Sequence, residues 1–245
     1  MDRFTDRAFV LGALDYGDAD RVVTLFTLGR GKMTAFAAGA RKSKRRFAGA
    51  LEPCTLIKAQ LVSRRGTTFR LDSVDIERTH HALRGDLALI SRALYCAELC
   101  RELLREEEAQ PELFSLLEDY LAALEARAAG PTSLLAFELR ALAIAGLMPR
   151  LDSCAICGQG LDAEPRFDPA QGGAVCSRCA MRERIYPPRA PAAVLEALAA
   201  IQQGGRIPMP ADQRRLAREL LNNFISHQLG RRLKAVDFMT QVGTD

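Results

Sequence analysis

Four cysteines in two closely spaced pairs are the residues whose types and spacing point most clearly to chemistry. Cys154 and Cys157 are separated by two residues, and after 18 more residues Cys176 and Cys179 repeat that spacing. Each C-x-x-C pair places two thiolates on one tight turn, and two such turns can surround a zinc ion with Zn–S distances of about 2.3 Å. Gly158 lets the backbone turn away after the first pair. The spacing predicts a zinc site, and the alternative is two unrelated buried cysteine pairs.

A zinc ion at this site would be structural, because four thiolates leave no open position for water or a substrate. A zinc deaminase would also need an H-x-E motif and a proline before its C-x-x-C pair. Ser153 stands in the place of that proline, and His80, His81 and His227 do not begin such a motif. No Walker-type phosphate loop and no Ser/His/Asp arrangement stands out. We therefore expect no catalytic residues and a protein that is not an enzyme.

A second feature is a run of five positive charges within six residues. The basic side chains are those of Arg41, Lys42, Lys44, Arg45 and Arg46. Such a cluster binds nucleic acid by displacing the counterions condensed on the phosphates. A solvated loop explains an isolated basic run about equally well, so the surrounding elements must decide. Phe47 follows the run and could stack on a base or fill the core.

The segments around the basic run have the composition of β-strands. Strands are predicted at 4–14, 21–28, 32–38, 55–63 and 67–76, separated by glycine- and aspartate-rich turns. Five short strands in this length are typical of a small OB-type barrel, which binds single strands along a basic face flanked by loops. The basic run lies between the third and fourth strands, and Arg64 and Arg65 lie between the fourth and fifth. This context favours DNA binding by both loops.

From residue 86 the hydrophobic period becomes helical. Helices are predicted to begin near residues 86, 111, 132, 191 and 210, and the four-cysteine segment, 151–185, interrupts them. Arg231, Arg232 and Lys234 follow the last predicted helix and could either cap its C-terminus or extend a basic surface. The predicted fold class is α+β, with an OB-fold barrel in residues 1–78 and a helical domain in residues 79–245. Cys96 and Cys100 are expected in the helical core.

Charge and composition narrow the functional classes. Residues 1–78 carry 15 Lys and Arg against 9 Asp and Glu, whereas residues 79–150 carry 7 against 11. The basic first third could therefore attract a polyanion. No signal peptide and no apolar stretch of about 20 residues is visible, so we expect a cytoplasmic protein without a membrane partner. In that compartment the seven cysteines would be metal ligands and free thiols.

Several short motifs occur in an order that carries a family resemblance. They are GARKSK at 39–44, GALEP at 49–53, GLMP at 146–149 before the first cysteine pair, and HQLG at 227–230. With these motifs, and with the barrel, helices and cysteines in this order, the chain resembles the bacterial RecO (recombination protein O) family of DNA repair proteins over nearly its whole length.

The resemblance implies a recombination mediator located in the cytoplasm with the nucleoid. It implies binding of single- and double-stranded DNA, annealing of complementary strands, and help, together with RecR, in loading the RecA recombinase. It also implies an N-terminal OB fold, structural Zn²⁺ at the four cysteines, and a pocket in the helical part for the C-terminal tail of single-strand binding protein. A zinc-ribbon RNA-binding or transcription-associated adaptor is the alternative, and competition between single-stranded DNA and structured RNA would separate the two.

Overall fold

The computed structural model describes residues 3–43, 46–47, 49–63 and 69–243. The chain divides into two compact units, residues 1–128 and 129–245. The first unit contains the strands β1 (Arg3–Tyr16), β2 (Asp20–Thr27), β3 (Gly31–Ala37), β4 (Leu56–Ser63) and β5 (Phe69–Arg78), followed by the helices α1 (Leu87–Leu103) and α2 (Pro111–Glu125). The predicted boundary after residue 78 coincides with the end of β5, although both helices belong to the same compact unit as the strands.

The five strands form a closed barrel in the order β1-β2-β3-β5-β4. Neighbouring strands are antiparallel except β3 and β5, which pair in parallel through Ala35 and Phe69. Side chains alternate along each strand, so Met33 and Ala35 face the barrel interior while Thr34 and Phe36 face outward. The predicted OB-type barrel and the α+β fold class are confirmed.

A bulge in β1 changes which side chains face the interior. The pairing of β1 with β2 shifts between Val10 and Gly12. Val10 lies in the core before the bulge, and Ala13 packs against the core after it. Because one extra residue reverses the alternation, Leu14 and Tyr16 point outward.

The loop between β3 and β4 contributes to the core of the barrel. Phe47, Ala50 and Leu51 are buried among the inward-facing strand residues. Phe47 is only 3% exposed, so it fills the core and is not available to stack on a base.

Helices α1 and α2 cover part of the barrel within the first unit. The Asp86 side chain caps α1 by accepting hydrogen bonds from the backbone N–H groups of Ala88 and Leu89. On α2, the ring of Phe114 lies 4.9 Å from that of Phe9 and 5.3 Å from that of Phe26. These apolar contacts join the second helix to the outer side of β1 and β2. Cys96 and Cys100 of α1, which were expected in the helical core, are fully buried.

The second unit is helical with one small hairpin. Its elements are α3 (Ser133–Ile144), β6 (Arg166–Asp168), β7 (Gly173–Val175), α4 (Ser177–Arg182), α5 (Ala192–Gln202), α6 (Ala211–Leu229) and α7 (Lys234–Val242). Helices α3, α5 and α6 pack on one another, and Glu138 of α3 forms a buried ion pair with Arg218 of α6. Among the described residues, no helix has the length and apolar character needed to cross a membrane.

The prediction for the C-terminal basic residues is wrong for Lys234. We expected Arg231, Arg232 and Lys234 to follow the final helix, but Lys234 begins α7. Arg231 and Arg232 therefore lie in the short connection between two helices, where Arg232 pairs with Asp237 of α7 at 3.0 Å. Gly230, with φ 66°, ends α6 in a left-handed conformation, and this allows the chain to start a further helix.

Candidate metal centre and nucleic-acid interface

The four predicted cysteine ligands converge in the second unit. Their sulfur atoms all lie within 4.8 Å of one another. Cys154, Cys176 and Cys179 are buried, and Cys157 is partly exposed. Four sulfurs bound tetrahedrally to zinc at about 2.3 Å lie about 3.8 Å apart, so the cluster has the size and the ligand type of a structural zinc site. The cluster could hold a metal ion, and the identity of that ion as zinc stays a prediction.

Strand β7 brings the two cysteine pairs together. The backbone N–H of Ala174 donates to the carbonyl oxygen of Arg150 at 2.8 Å, and that of Ala155 donates to Ala174 at 2.7 Å. The segment before the second pair is thus bonded to the segment that contains the first. Gly173 has φ 147° and packs directly against the Arg150 backbone, where a Cβ atom would collide. A glycine is therefore required at this crossing.

Local turns hold each pair in place. Gly158 has φ 72°, and its N–H donates to the carbonyl oxygen of Cys154 at 2.8 Å, which closes the first turn. The second pair lies at the start of α4, where Cys176 is the N-cap. Asp162 accepts from both the backbone N–H and the hydroxyl of Ser177, at 2.8 and 2.6 Å, and so anchors that helix start.

The protonation of the four thiols depends on whether a cation is bound. Burial disfavours the Cys154 thiolate, but backbone N–H groups, that of Cys176 foremost, donate to its sulfur and lower its pKa to about 6. Burial and the neighbouring sulfurs raise the pKa of Cys179 to about 12. Four thiolates this close repel one another, so all four ionise together only when a positive ion compensates their charge.

The basic loop is exposed where the structure describes it. Arg41, Lys42 and Arg46 are exposed. The predicted DNA contacts Lys44, Arg45, Arg64 and Arg65 lie outside the described residues. The assignment of DNA contacts to all seven residues stays a prediction.

The tip of the β1–β2 hairpin fixes the start of this loop. The backbone N–H of Gly39 donates to Asp20 at 2.7 Å, and that of Arg41 donates to the carbonyl oxygen of Ala19 at 2.9 Å. The Arg41 guanidinium donates to the carbonyl oxygen of Gly17 at 3.1 Å and lies 3.3 Å from the Asp15 carboxylate. The first basic side chain is thus held against the barrel.

Two aromatic residues on the outer face of the barrel near this loop, the exposed Tyr16 and the partly buried Phe36, were missed by the sequence analysis. Tyr16 is 60% exposed, and its ring meets that of Phe36 edge to face at 5.7 Å. The period-2 pattern of β3 could have shown that Phe36 lies on the outward face of that strand. For Tyr16, the sequence gives no sign of the bulge that turns it outward.

These features define an OB-barrel protein with an exposed basic loop and a helical unit that carries a four-cysteine centre. A protein-family model described as "Recombination protein O N terminal" matches residues 1–79. A second family model, described as "Recombination protein O C terminal", matches residues 84–237. A Myxococcus xanthus protein named DNA repair protein RecO is 60% identical over 245 residues, the full length of both chains. The chain belongs to the RecO family.

More distant relatives carry the same name. A DNA repair protein RecO from Anaeromyxobacter dehalogenans (strain 2CP-C) is 50% identical over 250 residues, covering 99% of this chain and 98% of the relative. Another from Geobacter sulfurreducens is 38% identical over 238 residues, with 96% of each chain covered. The resemblance noted in the sequence is therefore confirmed at the level of the family.

Proposed function

We propose that the protein is a DNA repair and recombination mediator. It binds single- and double-stranded DNA, anneals complementary strands, and with RecR helps load RecA onto strands coated with single-strand binding protein. The observation that supports this function most directly is the exposed basic loop anchored on an OB-type barrel, in a chain whose relatives are named DNA repair protein RecO.

The chemistry of the loop suits a phosphate backbone. Lys42 and Arg46 are exposed, and Arg41 is oriented by the hairpin tip. Arginine and lysine at such a site bind phosphates without reading the sequence, and this permits annealing of any complementary pair of strands. Annealing needs the protein only to neutralise and align two strands, so no catalytic residue is required, and we propose that the protein is not an enzyme.

The resident metal that we propose is structural Zn²⁺. Bound zinc would supply a cross-link between the two cysteine turns. Cys154, Cys157, Cys176 and Cys179 would hold it, while Asp162 and Gly173 keep the supporting backbone in place. Because four sulfurs complete the coordination shell, we assign the site to the stability of residues 151–185 and not to DNA chemistry.

The further partners that we propose are RecR and the C-terminal tail of single-strand binding protein, the latter in the helical part of the chain. The proposed location is the cytoplasm, with the nucleoid. Both proposals rest on the family relationship.

An annealing assay with protein-coated strands tests the function. Two complementary labelled strands are coated with single-strand binding protein and mixed with this protein, and duplex formation is followed by fluorescence transfer. We expect faster annealing than in the coated strands alone. Replacement of Arg41, Lys42, Lys44, Arg45 and Arg46 by alanine should remove most of the acceleration, whereas Arg105→Ala, which removes an exposed charge before α2, should not. No acceleration, combined with preferential binding of structured RNA, would support the RNA adaptor instead.

A further inference from the structure

An apolar row crosses the outer face of the barrel. The register aligns Leu14 of β1 with Val22 of β2, and Val22 with Phe36 of β3. Leu14 is 74% exposed, and Tyr16, at the end of the same strand, is 60% exposed. Adjacent exposed apolar side chains are costly to leave in water and commonly mark a binding surface.

The basic loop lies directly beside this row. Four contacts tie the loop to the hairpin tip that carries Tyr16, and each involves Gly39 or Arg41. Two acidic groups of the tip, Asp15 and Asp20, are engaged in the same contacts, and a third, Asp18, is exposed. Asp20 accepts from the Gly39 N–H, and Asp15 pairs with Arg41 and also with Arg21 at 3.0 Å. Aromatic rings and available positive charges therefore occupy one side of the barrel.

We infer that Tyr16 and Phe36 form a stacking platform for the bases of single-stranded DNA whose phosphates the basic loop contacts. This inference rests on the proposed function and assigns residues to it. Unpaired bases expose flat faces that stack on tyrosine and phenylalanine, whereas duplex DNA keeps those faces within its own stack. A strand with a phosphate at every nucleotide matches a surface on which cations border aromatic rings.

The central test compares a thymidine strand with an abasic strand of equal length and equal phosphate number. Wild-type protein should bind the thymidine strand more tightly, because only that strand can stack. Tyr16→Ala should weaken binding of the thymidine strand on the order of tenfold and leave binding of the abasic strand unchanged. The dependence of affinity on salt should not change, since no charge is removed.

Three further variants control for other causes. Tyr16→Phe keeps the ring and should retain wild-type affinity. Tyr186→Ala removes a tyrosine that is 78% exposed in the second unit and should bind the thymidine strand as the wild type does. Leu14→Ala removes an exposed apolar side chain of the same row without removing a ring, and its effect should be much smaller than that of Tyr16→Ala. Circular dichroism melting checks that each variant is folded.

Tyrosine fluorescence provides an independent readout. The chain has no tryptophan and four tyrosines. Tyr95 and Tyr120 are buried, so quenching by a base should come from one of the two exposed tyrosines, Tyr16 and Tyr186. We expect the quenching to disappear in Tyr16→Phe, while affinity persists, and to remain in Tyr186→Ala.

Two results would overturn the inference in distinguishable ways. If the wild type binds single-stranded DNA but Tyr16→Ala binds it equally well, the platform is wrong and the proposed function stands. If the wild type does not bind single-stranded DNA, both fail together. An equal loss of affinity for the thymidine and abasic strands would also refute stacking, because the abasic strand has no base to stack.

Discussion

The salt dependence of DNA binding follows from the charges of the basic loop. The loop carries five cations, at positions 41, 42, 44, 45 and 46. The Arg41 guanidinium already lies 3.3 Å from the Asp15 carboxylate, so we expect the loop to neutralise about four phosphates. Each phosphate neutralised on a single strand contributes about −0.7 to the slope of log affinity against log salt. The expected slope is therefore about −3.

This slope predicts a large effect over an ordinary range of salt. Between 50 and 200 mM, affinity should fall about 50-fold. Fluorescence anisotropy of a labelled thymidine strand at four or more salt concentrations measures it. Alanine at all five positions should bring the slope close to zero if the loop provides most of the phosphate contacts.

Single-charge variants make the test sharper. Lys42→Ala should make the slope less steep by about 0.7, whereas Arg105→Ala, which removes a charge from the exposed segment between α1 and α2, should leave it unchanged. An unaltered slope in the five-alanine variant would refute the assignment of the loop to phosphate binding.

Four further predictions concern stability. Cys154→Ala should abolish zinc binding, measured as metal per chain. It should also increase hydrogen exchange in residues 151–185 at conditions where exchange in the barrel is unchanged. Wild-type protein purified without zinc would contradict this prediction. Phe47→Ala should lower the free energy of unfolding in urea by about 3–5 kcal/mol, because it leaves a cavity in the barrel core; a loss below 1 kcal/mol would mean that the ring is not buried. Arg218→Ala should cost about 3–5 kcal/mol in the same measurement, because it leaves the Glu138 carboxylate buried without its cation, and a neutral effect would contradict the ion pair. Burial lowers the pKa of His80 below its ordinary value of 6.5, although the hydrogen bond with Glu125 opposes this shift. The unfolded chain therefore takes up the proton first, and the free energy of unfolding should decline as pH falls below about 6.5. His80→Asn should reduce that decline, measured by melting at a series of pH values.

Features that depend on local spacing could be predicted from the sequence. The strands lie within a few residues of their predicted limits, and the five predicted helices begin within one residue of their predicted starts, because alternation and helical periodicity are local properties. The cysteine cluster was predictable for the same reason, since two C-x-x-C turns define their own ligand geometry. Helix α7 was missed because Arg231, Arg232 and Lys234 were placed after the last predicted helix, whereas Gly230 ends only α6 and a further helix begins at Lys234.

Features that depend on tertiary packing could not be predicted. The sequence allowed Phe47 to be either a stacking residue or a core residue, and only the closed barrel shows that it is buried. Strand β7, which joins the cysteine pairs, has three residues and no distinctive pattern. The contacts of the basic loop with the hairpin tip depend on a turn about 20 residues earlier, and no local rule relates the two.

The bulge in β1 has a consequence for how this barrel tolerates change. Because a single additional residue near Leu11 reverses the facing of the rest of the strand, the surface that carries Leu14 and Tyr16 depends on the number of residues as much as on their identity. Substitutions there would alter one side chain at a time. Loss of one residue at the bulge would turn Ala13 outward and drive a leucine and a tyrosine into an already filled interior, so this short stretch of chain should accept exchanges of residue but not changes of length.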